Sequence, residues 1–155
     1  MDERAKQLCK QLQGSCELQV AQDFEDYENA IGQLREYRDP EVLRCMLQCF
    51  RDVEAGDGQY MLVHAVEAFP VEQYVPFFLE EGREIFEQAP SWFSLLIHGL
   101  LNDRESAALV EPHFEQLSPA DKRFYVDYVS RMASESPQYR PNAERLAMKL
   151  SGSVD

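Results

Sequence analysis

Tyr60, His64 and Glu67 are the side chains in this sequence whose types and spacing best suit binding or acid–base chemistry. They stand at i, i+4 and i+7 of an apolar segment, residues 59–69, and so share one side of a helix. The apolar side chains of the segment fall on another side: Leu62, Val63, Val66 and Phe69. Three interpretations of the polar stripe stay open here: a protein-contact surface, a catalytic acid–base set, or the less buried side of a packed helix.

Metal ligation is the next chemistry to consider. His64, His98 and nearby carboxylates would be the ligands of a metal-dependent enzyme, the least favoured interpretation. Cys45 and Cys49 are one helical turn apart and offer two thiolates to zinc, but no His or Cys nearby in the sequence completes that site. The acidic segment 52–58 lacks the ligand ladder and terminal Glu of an EF-hand. The sequence therefore predicts no metal and no cofactor.

Enzyme signatures are missing from the sequence. It contains no glycine-rich phosphate loop, no HExxH and no Gly-x-Ser-x-Gly. Carboxylate pairs are common, but in a chain this acidic they say little about acid–base catalysis. We therefore predict a binding protein rather than an enzyme, and assign no catalytic residue.

The charge of the chain indicates what kind of partner it binds. The net charge is −13, from 15 Lys and Arg against 28 Asp and Glu, which disfavours nucleic acid and anionic membranes. Residues 17–87 hold 17 acidic and 5 basic residues, a net charge of −12. Such asymmetry can speed association with a basic protein by ~10- to 1,000-fold. The alternative is a solvated surface that only confers solubility.

Compartment is predicted from the apolar runs and the cysteines. No run approaches the roughly 18 apolar residues of a membrane span, and the first ten residues are charged where a signal peptide is apolar. The four cysteines form no Cys-x-x-Cys pair, so we interpret them as reduced thiols, with Cys45 and Cys49 packed at the edge of a helix core. These features predict a cytoplasmic protein.

The elements that must position these residues are predicted from the 3.6-residue apolar period and from capping signals such as Asp39-Pro40 and Ser118-Pro119. Asp23 is the predicted cap of the second helix. The predicted helices run over 2–13, 23–37, 40–50, 59–69, 76–88, 91–102, 103–117 with a break at Pro112, 119–133 and 142–150.

No segment of the sequence shows the alternating apolar and polar pattern of a strand, so the predicted fold is all-α. Helices of this length joined by short loops favour stacked antiparallel hairpins, either a short HEAT-like solenoid, which we prefer, or an irregular helical bundle. His64 and His98 are 34 residues apart, a period suited to stacked helix pairs. We predict a single domain over 1–155, with residues 1–22 peripheral and 151–155 a disordered tail.

Four short segments carry a resemblance to a known family: Leu-Val-His-Ala-Val-Glu-Ala-Phe at 62–69, Tyr-Val at 74–75, Ala-Pro-Ser-Trp at 89–92 and Leu-Leu-Asn-Asp at 100–103. In these segments the chain resembles the thirtieth numbered family of immunity proteins from bacterial polymorphic toxin systems. The resemblance covers Pro40 to Leu117 and does not extend to the first forty residues. It implies a small cytoplasmic antidote that binds the C-terminal domain of a cognate toxin and blocks its activity.

A partner-binding surface follows if that toxin is a nuclease, because a basic phosphate-binding cleft also accepts carboxylates. The candidate contact residues are Asp52, Glu54, Asp57, Tyr60, His64 and Glu67, with Glu80, Glu81 and Glu84 as further candidates. Trp92 is expected in the core, and Asn102 or Asp103 as helix caps. The alternative function is an acidic helical-repeat adaptor for another cytoplasmic protein, which the same features would support.

Overall fold

The computed structural model describes residues 1–53, 58–102, 104–135 and 140–151. Over this part of the chain there are nine α-helices and no strand, which confirms the all-α class. The helices are α1 Glu3–Ser15, α2 Ala21–Leu34, α3 Pro40–Leu47, α4 Gln59–Glu67, α5 Val71–Gln88, α6 Pro90–Asn102, α7 Arg104–Phe114, α8 Pro119–Glu135 and α9 Arg140–Ser151. The predicted contact residues Glu54 and Asp57, the predicted cap Asp103 and tail residues 152–155 lie outside the described residues.

The chain divides into two compact units, Met1–Phe93 and Ser94–Asp155. In the first unit, α1 packs on α2 and α3, α2 on α4, α3 on α4 and α5, and α4 on α5. Contacts between neighbours and between next-but-one helices are typical of stacked helical hairpins. The HEAT-like solenoid and the single domain both stay predictions.

Helix α1 contributes to the core of the first unit, although its residues were expected at the periphery. The Asp2 carboxylate caps the helix by accepting a hydrogen bond of 2.7 Å from the Ala5 amide. The buried side chains follow helical spacing: Ala5, Leu8, Cys9 and Leu12. Burial of this stripe, at roughly 25 cal/mol per Å² of apolar surface, fixes α1 to the helices it packs against.

Two helix starts in the first unit test the capping signals. Helix α3 begins at Pro40 as predicted, because the Asp39 carboxylate accepts the Glu41 amide at 2.9 Å. Helix α2 begins at Ala21, two residues before the predicted start. Asp23 is therefore the third helical residue, and its carboxylate reaches back to the amides of Gln19 and Val20 at 2.8 and 3.1 Å.

Helix α5 begins earlier than the proline pattern predicts. It starts at Val71 directly after Pro70, and Pro76 lies inside it rather than in its first turn. A proline inside a helix removes one backbone hydrogen bond. The helix continues because the residues before the proline share the buried face: Tyr74 and Val75 are 5% and 0% exposed. Packing therefore outweighs the local preference.

The second unit contains α7, α8 and α9, with α9 packed on both of the others. Helix α8 starts at Pro119 as predicted, where the Ser118 hydroxyl accepts the Asp121 amide at 3.2 Å. Tyr125, Val129 and Met132 are buried along one side of this helix, and Phe124 and Tyr128 are half-buried. Helix α7 runs through Pro112 instead of breaking there, because Val110 and Phe114 are buried on one face across the proline.

Among the helices described above, none is both long and apolar enough to cross a membrane.

Candidate protein-binding site

The outward face of α4 carries the polar stripe that the sequence singled out. Tyr60, His64 and Glu67 are exposed, and the predicted apolar side of the helix is buried. Because α4 packs on α2, α3 and α5, its inward face is fixed from three sides. The stripe is therefore displayed on a rigid element, which suits a binding surface.

Tyr60 is an exposed aromatic side chain on a rigid support. Its ring stands edge-on to the Trp92 indole, with centroids 4.9 Å apart and planes at 82°. Trp92 is 8% exposed and stacks on Phe50 at 6.2 Å, so its predicted core position is confirmed. Tyr60 itself stays 49% exposed. One edge of the ring is held while the rest remains free to meet a partner.

A groove of about 360 Å³ lies beside the stripe, between α4 and the C-terminal end of α2. Its lining comprises Ile31, Gly32, Arg35, Glu36, Arg38, Met61, His64, Ala65 and Ala68. Met61 at its edge is 37% exposed, so two consecutive large apolar residues, Tyr60 and Met61, face solvent on α4. A Cβ added at Gly32 would meet nothing within 4 Å, so this glycine leaves the groove open.

Sequence reasoning missed this groove. Its two walls come from helices separated by 24 residues of chain, from Leu34 to Gln59, and helical periodicity says nothing about which helices meet. The available signal was local: Met61 falls on the polar side of α4 where an apolar residue is unexpected.

Asp52 lies just before α4 in the chain and is tied to α6. Its carboxylate accepts a hydrogen bond of 3.0 Å from the Ser91 amide in the first turn of that helix. The first amides of a helix have no partner within it, and a carboxylate there also opposes the positive end of the helix dipole. Asp52 therefore supports the helix that carries Trp92 while its side chain stays exposed.

Glu80 and Glu81 are held by a basic side chain of α3. The Arg44 guanidinium donates to Glu81 through Nε and to Glu80 through Nη2, both at 2.9 Å, and lies 4.7 Å above the Phe77 ring. Gln48 donates to the other oxygen of Glu81 at 3.0 Å. The Glu81 side chain is 13% exposed and that of Glu80 55%. Glu81 thus joins α3 to α5.

Arg44 and Gln48 of α3 both contact α5 rather than extending into open solvent. Glu84, one turn after Glu80, is exposed and accepts a hydrogen bond of 3.1 Å from Gln88. On the acidic outer side of α5, Glu81 is therefore paired with Arg44 and largely buried, whereas Glu80 and Glu84 are more accessible.

The histidines suggested as ligands of a metal-dependent enzyme can be located in the structure. Among the described residues, no group of three or more His, Cys, Asp or Glu is arranged to hold a metal ion. His64 belongs to the first unit and His98 to the second. Burial lowers the pKa of His98 from its usual value, which keeps that ring neutral at physiological pH.

Comparison with known proteins gives one match. The family model described as Immunity protein 30 matches residues 5–110, more than half of the chain. The matched range includes α1 and α2, which the sequence resemblance did not reach, and it ends before Leu117. Comparisons with curated proteins and with solved structures returned no match.

Proposed function

The chain belongs to the Immunity protein 30 family, and on that premise we propose that it binds the C-terminal domain of a cognate bacterial toxin and neutralises it. The observation that carries the proposal is the exposed Tyr60 ring held edge-on by the buried Trp92. Tyrosines that are both rigid and exposed supply much of the energy at protein interfaces, because little side-chain entropy is lost on binding.

The proposed contact surface is centred on α4. Tyr60 and Met61 form its apolar centre, and the carboxylates of Asp52 and Glu67 lie on exposed positions of the same segment. An apolar anchor surrounded by charged side chains is the usual anatomy of a protein interface. Glu54 and Asp57, which precede α4 in sequence, belong to the same proposed surface.

The groove beside α4 is proposed to receive an apolar side chain of the toxin domain. Its lining includes the apolar residues Ile31, Ala65 and Ala68, together with Met61 and with His64 of the stripe. A volume of about 360 Å³ is ample for one large side chain. An anchor residue entering a preformed pocket is a common source of binding energy.

Charge indicates the kind of toxin surface that fits. Residues 17–87 carry a net charge of −12, and they include every proposed contact residue. A basic nuclease cleft, built to hold phosphates, complements such a surface. In this proposal Glu80 and Glu84 extend the acidic surface, and Glu81 acts through Arg44 by fixing α5 to α3. Inhibition is by binding alone, without catalysis, in the cytoplasm where the toxin would act.

The test is a growth rescue in bacteria. The chain is co-expressed with the toxic C-terminal domain encoded beside its gene, and survival and co-purification are measured. Survival with a stable complex is the expected result. A double variant, Tyr60→Ala with Glu67→Gln, should weaken rescue, whereas the matched control Met148→Ala with Asp127→Asn, exposed positions of the second unit, should not.

Death of cells that contain abundant folded protein would contradict the proposal. It would favour the general adaptor, for which a pull-down from cell extract is the next experiment.

A further inference from the structure

A second groove adjoins the groove between α2 and α4. It has a volume of about 370 Å³ and is lined by Arg4, Gly32, Gln33, Glu36 and Tyr37. Gly32 and Glu36 also line the first groove, so the two grooves meet at the C-terminal end of α2. Because Arg4 belongs to α1, residues of three helices of the first unit contribute to the pair of grooves.

The charge of the two grooves is opposite to that of the sequence around them. Three arginines line the grooves, Arg4, Arg35 and Arg38, against one carboxylate, that of Glu36. Residues 17–87 as a whole hold 17 acidic and 5 basic residues, and two of those five, Arg35 and Arg38, lie here. Arginines gathered at one recess of an acidic chain attract a negatively charged group.

The other three basic residues of 17–87 are neutralised within the fold. Each pairs, at 2.9 to 3.4 Å, with a glutamate four or more positions away in the chain: Arg44, Arg51 and Arg83. Among the described residues, Arg35 forms an ion pair only with its neighbour Glu36, at 3.3 Å, and these side chains are 63% and 76% exposed. An ion pair so open to water is weak, so Arg35 remains available to a partner.

Arg38 is held in place without being neutralised. Its Nη1 donates to the carbonyls of Arg35 and Tyr37 at 2.6 and 2.8 Å, and its guanidinium lies 5.7 Å from the centre of the buried Phe69 ring. A basic side chain at a helix C-terminus often serves only that terminus. Here this role occupies one nitrogen of three, and Nε and Nη2 donate to no group in the part of the chain that the structure describes.

Arg4 brings a third positive charge from another helix. Its Nη2 donates to Oε1 of Gln33 at 2.7 Å, and it pairs with no carboxylate within the described ranges. Arg4 stands in the first turn of α1, where a positive charge opposes the helix dipole. The stability of α1 therefore does not account for an arginine at this position.

We propose that the two grooves bind a segment of the toxin domain in which an apolar side chain is flanked by an aspartate or a glutamate. The inference rests on the proposed toxin-binding function and deepens it. The apolar side chain enters the first groove, and the carboxylate is bound by Arg35, Arg38 and Arg4, because guanidinium groups hold carboxylate oxygens in paired hydrogen bonds. A nucleic acid is disfavoured as the occupant, since residues 17–87 carry a net charge of −12.

This contact reverses the charges of the rest of the proposed interface. Elsewhere an acidic surface of this chain meets a basic surface of the toxin domain, and many basic proteins fit such a surface. A carboxylate bound in the grooves fixes the register of the complex, and a toxin that lacks it leaves the arginines unpaired. The grooves therefore select the cognate toxin.

The first experiment removes positive charge from the grooves. Arg35→Gln with Arg38→Gln is compared with the matched control Arg83→Gln with Arg123→Gln, which removes two exposed arginines elsewhere. Calorimetric titration with the toxin domain should show Kd raised by about 10- to 100-fold for the groove variant, because charge-assisted hydrogen bonds are lost. The control should leave Kd unchanged or lower it, since a more negative chain attracts a basic toxin more strongly.

The second experiment uses the native chain and does not depend on the folding of a substituted one. Each Asp and Glu of the toxin domain is changed in turn to Asn or Gln. One change should raise Kd by about 10- to 100-fold, and it should cause no further loss with the groove variant. Attraction to an acidic surface alone predicts the opposite sign, because a toxin with one negative charge fewer would bind more tightly.

Three outcomes overturn the inference and leave the proposed function standing. The first is a groove variant that urea denaturation shows to be folded and that binds like the native chain. The second is a toxin domain in which no acidic residue supports binding. The third is a native chain that dimerises through the grooves while the groove variant stays monomeric, which would make a second copy the occupant. Failure of the native chain to bind the toxin domain would instead overturn the proposed function and this inference together.

Discussion

The ring of Tyr60 meets the Trp92 indole edge-on at 4.9 Å, although the two residues belong to different helices 32 positions apart in the chain. Edge-on aromatic pairs add about 0.5–1.5 kcal/mol beyond the area they bury. Here the pair also has a geometric effect: a core residue determines where an exposed ring stands. The proposed toxin-binding surface is therefore built on the core.

Replacing Tyr60 by Ala should weaken toxin binding far more than it weakens the fold. We expect Kd to rise by about 10- to 100-fold, since a central tyrosine contributes about 1.4–2.8 kcal/mol at such interfaces. Calorimetric titration measures the change. Met148→Ala, which removes a 78% exposed side chain from α9, is the control and should leave Kd unchanged. Equal effects of both substitutions would remove Tyr60 from the interface.

Substitutions at Gly32, which lines the groove, should affect toxin binding and the stability of the fold differently. Gly32→Ala is expected to raise the free energy of unfolding by about 0.5–1 kcal/mol, because alanine favours the helix and its Cβ meets nothing within 4 Å. Gly32→Leu should keep a stable fold but weaken toxin binding by placing a side chain in the groove. Urea denaturation and calorimetry measure the two quantities. Unchanged toxin binding by Gly32→Leu would show that the groove stays empty in the complex.

Glu81 and Glu84 should behave differently although both are acids of α5. Glu81→Gln breaks the 2.9 Å ion pair with Arg44 and should lower the free energy of unfolding by about 1–2 kcal/mol. This is less than for a fully buried pair, since the Arg44 side chain is 34% exposed. Glu84→Gln should change it by under ~0.5 kcal/mol. Similar denaturation curves for the two variants would contradict the structural role of Glu81.

Salt should slow association with the toxin domain if the acidic residues of 17–87 steer it. Between low and physiological ionic strength the Debye length falls from about 30 to 8 Å, so the association rate should drop steeply while dissociation changes little. Stopped-flow mixing measures both. Glu67→Gln with Glu84→Gln should reduce the dependence, and Asp127→Asn in α8 should not. A flat response of the native chain would place the acidic surface outside the interface.

Local signals predicted the fold well where a side chain acts on its own helix. Asp39-Pro40 and Ser118-Pro119 start α3 and α8 as expected, because capping involves only neighbouring residues. The predictions from proline were wrong in α5, which was expected to start near Pro76, and in α7, which was expected to break at Pro112. The helices pass through Pro76 and Pro112 because burial of residues on either side favours continuation, and burial depends on distant parts of the chain.

The candidate site shows the same division. Periodicity predicted that Tyr60, His64 and Glu67 share one side of α4, apart from its apolar side, and the structure shows that this side is exposed. Periodicity could not predict that Glu81 accepts hydrogen bonds from Arg44 and Gln48, or that Gly32 and Met61 line the same groove. Those contacts join residues 29 to 37 positions apart, and no repeat or motif in the sequence connects them.

The central claim is that this chain inhibits a toxin by stoichiometric binding. Its most direct test is the activity of the purified cognate toxin domain as the purified chain is added. The account predicts a linear loss of activity that reaches zero at one chain per toxin domain. With Tyr60→Ala, much more protein should be needed. Full toxin activity in the presence of a large excess of folded chain would contradict the account.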